Sequence, residues 1–171
     1  MANIDAPIGF WPVRHLTGGE IRANVYTVTH DAVCYQGEIL KVVAGGTVEP
    51  AAADAGIIAL GVAAEYKDGA TAGTKILVYD DPNIVFGVQS DSDATGIVAI
   101  DVFASSDHVK THTGNTTTLL SGDELVATPA GAQFIILGLC NTRDANNTWG
   151  PNADVEVIFG EHLFKAALVG V

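Results

Sequence analysis

His108 and His112 stand four positions apart, the spacing at which two imidazoles on one helical face chelate a metal ion. The intervening Val-Lys-Thr belongs to a Thr-rich stretch where helix is not expected, so both read as loop histidines and no metal site is expected. Glu161-His162 pairs a carboxylate with an imidazole, but adjacent strand residues point to opposite faces, so the two are not expected to converge. Asp91-Ser92-Asp93-Ala94-Thr95-Gly96 opens like a calcium loop, yet Val102 stands at the twelfth position, where a bidentate Glu is required. Segment 69–76 fails both the glycine spacing and the Lys-Ser/Thr ending of a phosphate-cradling loop and reads as a hairpin turn. Cys34 lies between Val33 and Tyr35 with no predicted His partner, and no Gly-x-Ser-x-Gly elbow occurs. The patterns point to no enzyme and no cofactor.

The residues best suited to a task are suited to contact. Pro7-Ile8-Gly9-Phe10-Trp11-Pro12-Val13-Arg14-His15 sets two large aromatics, an Arg and a His in a segment whose prolines lower the entropy lost on docking. Trp, other aromatics and Arg are common interface anchors. Phe10, Trp11, Arg14, His15 and, further on, Arg22 are therefore the candidate partner-binding residues; the competing reading folds Phe10 and Trp11 back onto their own domain. Residues 1–20, with Pro7, Gly9, Pro12 and Gly18-Gly19, read as an extended N-terminal arm, and 21–171 as the domain proper. If the arm serves contact, deleting residues 1–15 leaves the domain folded and weakens assembly alone.

Short β-branched runs punctuated by Gly, Asp, Asn and Pro predict an all-β domain of eight or nine antiparallel strands, a barrel or a sandwich. In 154–159, Val155, Val157 and Phe159 share one face and Asp154, Glu156 and Ile158 the other, which predicts one mostly wet face. The near-continuous apolar runs 76–79, 84–88, 97–103 and 134–139 predict central strands covered on both faces. Gly61, Gly87 and Gly138 inside strand runs predict bends or bulges where a sheet curls, which favours a barrel. The best helical candidate is a turn or two at 50–55, and the polar stretch 105–121 reads as a long surface loop.

The chain has 171 residues, 20 acidic and 8 basic, for a formal charge of −12, while only 16% of residues are charged and 48% are hydrophobic. Scattered Lys and Arg argue against nucleic-acid binding. The longest apolar stretch, 56–64, is half of a membrane span and reads as a strand. The first residues carry an acid and a proline where a secretory signal carries positive charge, so synthesis and assembly in the cytoplasm are expected. Cys34 and Cys140, each inside an apolar run, read as buried free thiols.

Three segments carry a resemblance: the opening Ala-Pro-Ile-Gly-Phe-Trp-Pro-Val-Arg-His-Leu-Thr-Gly-Gly, the middle Asp81-Pro82-Asn83-Ile84-Val85-Phe86-Gly87-Val88-Gln89-Ser90-Asp91, and the closing Ile136-Leu137-Gly138-Leu139 with 154–162. In this order they resemble the cement, or decoration, proteins of tailed bacteriophages. The resemblance implies a non-enzymatic virion protein on the outside of the phage head that locks neighbouring major capsid proteins together, often as a homotrimer. It implies contact of the arm with the major capsid protein or a neighbouring cement subunit. A trimer at three times −12 carries −36, which favours a site facing away from packaged DNA. The alternative is a carbohydrate- or receptor-binding β-barrel, which needs exposed aromatics over a concave face; Trp149, near Asn146-Asn147, is its candidate.

Overall fold

Alternating apolar residues and frequent turn formers produce many short strands rather than a few long ones. The computed structural model describes residues 3–53 and 57–166, and among these the strands are antiparallel, with 38% strand and 4% helix. In chain order they are β1 Trp11–His15, β2 Asn24–Thr27, β3 Val33–Cys34, β4 Ile39–Val42, β5 Val48–Pro50, β6 Gly61–Ala63 and β7 Lys67–Asp68. They continue as β8 Lys75–Tyr79, β9 Ile84–Gln89, β10 Ser105–Ser106, β11 His108–Lys110, β12 Asp123–Leu125, β13 Phe134–Leu139 and β14 Asp154–Phe159, followed by the short helix α1 Leu163–Ala166.

One five-stranded sheet runs β1-β9-β14-β13-β10 and the other β2-β8-β6-β4-β5; β3-β7 and β11-β12 form two-stranded ribbons. The ladders do not close into a barrel among the described residues. The main core lies on the first sheet, where Phe86, Val88, Phe134, Ile136, Val157 and Phe159 meet Ile39 and Val62 of the second. Phe159 sits against both Phe134 (ring centroids 4.9 Å) and Phe86 (5.6 Å). The second sheet also carries a smaller core, in which Leu40, Val48, Ile76 and Val78 pack with Val28 and Cys34.

Several expectations change. Part of the N-terminal segment is a strand: β1 pairs antiparallel with β9 at the sheet edge, with an irregularity between Pro12 and Arg14. An edge tolerates the proline because one side of the strand makes no ladder bonds. Gly9 and Gly37, both left-handed (φ +74° and +84°), let the two backbones meet, and the Phe10 N–H donates to the Gly37 carbonyl at 2.8 Å.

The run 97–103 is not a central strand. The Asp101 carboxylate accepts the Val98 N–H at 2.8 Å and closes a 3₁₀ turn at Ala99–Asp101. The face of β14 expected to be wet is mostly covered: Asp154 and Ile158 are buried and only Glu156 stays half-buried. In β8, Lys75 and Leu77 are exposed while Ile76 and Val78 are buried, so that strand is covered on one face. The stretch 105–121 holds β10 and β11 as well as loop. Of the 56–64 run, β6 alone is strand among the described residues, and the helical candidate at 50–55 falls partly outside them.

The glycine readings are sharper. Gly138 borders a register shift between Ile136 and Gly138. Gly87 stays in register, and its missing side chain makes room for the Trp11 indole; Gly61 likewise lets the Tyr79 carbonyl approach. Both cysteines are buried free thiols.

Candidate interaction surface

The N-terminal segment is strapped to its own domain by polar side chains reaching from the loops and strands beneath it. Asn3 Nδ2 donates to the Thr148 and Pro151 carbonyls at 2.8 and 3.0 Å. The Gln89 side chain accepts the Ala6 N–H at 2.8 Å and donates to the Ile4 carbonyl at 3.0 Å. Arg143 donates to the Ala6 carbonyl at 2.8 Å while its other nitrogens reach both oxygens of the buried Asp154, at 2.7 and 3.0 Å. One guanidinium thus satisfies a buried carboxylate and holds the strap.

Each candidate partner-binding residue already has a partner in this chain. Phe10 is 2% exposed and stacks on Phe134 (centroids 4.8 Å, 26° between planes), so its ring belongs to the core and does not face outward. Trp11 lies over Gly87, donates Nε1–H to Thr142 Oγ1 at 3.2 Å, and carries the Arg143 guanidinium 5.1 Å from its ring centre. Arg14 pairs with Glu156 at 2.8 Å, Arg22 with Glu20 at 2.9 Å. The His15 Nε2–H donates to Asp81 at 3.0 Å and its Nδ1 accepts N–H groups from Thr17 and Gly19. Although desolvation acts against it, the Asp81 carboxyl is held below its ordinary range by the Asn83 N–H and His15. Trp11, Arg14 and Arg22 keep exposed edges, but both guanidinium groups are matched by nearby carboxylates.

Exposed large apolar side chains occur at several scattered positions, Ile4 and Val25 among them, and a group of them flanks and occupies the 3₁₀ turn that breaks the 97–103 run. Ile100 is 88% exposed and Phe103 77%, with Val98 also in solvent, while Ile97 is buried in the main core. Phe103 has a left-handed backbone (φ +70°), uncommon for an aromatic residue, and its N–H donates to the Ile136 carbonyl at 2.8 Å. The Ala104 carbonyl accepts the Ile136 N–H at 3.0 Å. The turn is therefore anchored on β13 on one side and by Ile97 in the core, with its large side chains turned out. The signal available in the sequence was Asp101, the one charge in the run, whose carboxylate can cap a turn.

The reactive side chains are mostly engaged or shielded. Burial, with Glu38 nearby, pushes the Cys34 thiol up to about 12, unfavourable for a thiolate nucleophile. His108 is buried in β11 rather than in a loop, with Nδ1 2.7 Å from Gln133 Oε1. His162 is buried against Phe159 and Phe164, and desolvation lowers it to about 4. Asp91 and Asp93 accept hydrogen bonds from Ala127 and Thr128. Lys110 Nζ reaches Glu38 at 2.6 Å and Asp123 at 3.8 Å, and both carboxyls are shifted upward, chiefly by desolvation. Trp149, the candidate sugar platform, is half-buried against the main core.

One constellation crosses segments that the sequence keeps apart. Asp5 of the strap, His112 after β11 and Glu124 of β12 bring one donor atom each within 4.8 Å of one another. Desolvation, reinforced by Asp5 and Asp91, raises the Glu124 carboxyl to about 8. No family model, curated protein or solved structure matches the chain.

Proposed function

We propose that this chain is a structural virion protein that binds the outer surface of a tailed-phage head and bridges major capsid proteins, as its sequence resemblance implies. The observation that carries the reading is the anchored apolar turn, in which Ile100 and Phe103 stand in solvent on a backbone held by Asp101 and Ile136. Exposed aromatic and aliphatic side chains on a rigid base lose little entropy on docking. That suits a clamp that works by repeated contacts around a symmetric shell.

In this reading the strap stabilises the subunit, and the turn rather than Phe10 faces the partner. The net charge of −12 favours a position away from packaged DNA and keeps free subunits apart before assembly. A homotrimer on the shell, with neighbouring cement subunits in contact, is part of the proposal, as is assembly in the host cytoplasm. The test is the heat resistance of expanded heads lacking their outer protein, measured with and without the purified chain. Release of packaged DNA at a higher temperature in its presence supports the proposal; an unchanged release temperature at saturating protein refutes it.

A further inference from the structure

Glu124 is 1% exposed, and neither of its carboxylate oxygens has a hydrogen-bond partner. A buried carboxylate without hydrogen bonds is costly unless a cation meets it. Beside it stands the half-exposed imidazole of His112, whose Nε2 lies 3.8 Å from Glu124 Oε2 and 3.6 Å from Asp5 Oδ1. Asp5 and His112 border a surface cavity of about 260 Å³ that also meets Ser121 and Gly122, an entry path from solvent.

We propose that Asp5, His112 and Glu124 form a binding site for a divalent transition-metal cation of the zinc class. Ligands about 2.0–2.2 Å from a tetrahedral zinc stand roughly 3.4 Å from one another, so two of the three separations are within half an ångström of the need. The remaining adjustment falls to Asp5, half-exposed at the end of the strap. One imidazole with two carboxylates is a donor set for zinc more than for calcium or magnesium, which prefer oxygen alone. Water from the cavity supplies the fourth ligand.

His112 must present Nε2 unprotonated, with its proton on Nδ1. The bound ion joins the strap, the segment after β11 and strand β12, so binding stabilises the folded chain. Gly122 allows this geometry: a Cβ there would press on the His112 backbone and side chain.

The experiment uses the full chain, freed of metal by chelator and dialysed. Zinc chloride, calcium chloride and magnesium chloride are added in separate arms, read by titration calorimetry and thermal melting. The expected result is one zinc per chain and a rise in Tm of about 5–10 °C at a hundredfold excess over Kd. His112→Ala and Asp5→Asn, both at half-exposed positions, fold normally and lose at least tenfold in zinc affinity. Zinc affinity unchanged in both variants, or no saturable zinc binding by the parent chain, overturns the site. Stabilisation by calcium or magnesium with none by zinc overturns the choice of metal class.

Discussion

Removing the ring of Phe10 tests whether the N-terminal strap is part of the domain. Phe10 is almost wholly buried and lies 4.8 Å from the Phe134 ring, within the cluster that also holds Phe86 and Phe159. Truncating a buried Phe to Ala costs about 3–5 kcal/mol. At roughly 2–4 °C of Tm per kcal/mol for a chain of this size, Phe10→Ala should melt about 10 °C below the parent. Phe10→Leu, which keeps most of the volume, should recover more than half of that loss. Deleting residues 1–15 removes the same ring, all of β1 and the Arg14–Glu156 pair, and leaves β9 as an open edge. That product should lose its cooperative transition or aggregate, the reverse of the outcome expected for a free arm. Thermal melting followed by circular dichroism reads all three. A truncated chain that melts cooperatively within about 3 °C of the parent would refute the reasoning, because the strap would then be a removable arm.

Two further outcomes follow from buried groups. His162 is lowered to about 4 by desolvation, while the unfolded chain binds its proton near 6.5. Lys165 also lowers it, whereas the nearby Leu60 backbone, Asp80 and Asp81 act in the opposite direction. The site's contribution to stability is therefore complete above about 6.5 and declines as pH falls toward 4, by about 3 kcal/mol in all. Urea unfolding at pH 7 and 4.5 should show a larger loss for the parent than for His162→Gln; equal losses contradict the assignment. Gly87→Ala places a methyl against the Trp11 indole and should cost about 1–3 kcal/mol while displacing the ring from Arg143. Tryptophan emission that shifts to the red and quenches more readily with acrylamide is the expected reading, and an unchanged spectrum contradicts the packing.

The sequence made the strand content legible where alternation or a long apolar run is bounded by turn formers, as in β9, β13 and β14. It misjudged the second face of β14, because the buried Asp154 carboxylate is met by Arg143, eleven positions upstream, and by Gln89 of β9. It read 97–103 as a strand because periodicity cannot separate a covered strand from an apolar turn, and a single Asp101 carboxylate decides between them. The prolines and aromatics of the strap left an interface arm and a fold-back onto the domain both open; Pro12 fits an edge strand, and Phe10 completes a core whose other fully buried phenyl rings come from β9, β13 and β14. Asp5, His112 and Glu124 could not be joined by reading along the chain, because the strap must first fold back to bring Asp5 to His112.

The claim on which the functional account rests is that the exposed turn holds this chain on a larger shell. Sedimenting expanded tailed-phage heads, stripped of their outer protein, with the parent chain and with Ile100→Asp/Phe103→Asp tests it directly, since neither side chain supports the core. The account predicts that the parent pellets with the heads to a saturating number of copies and that the folded double variant loses at least thirtyfold in affinity, about 2 kcal/mol, as removal of a hot spot does. A parent chain that stays in the supernatant at every concentration, or a double variant that pellets equally well, contradicts it.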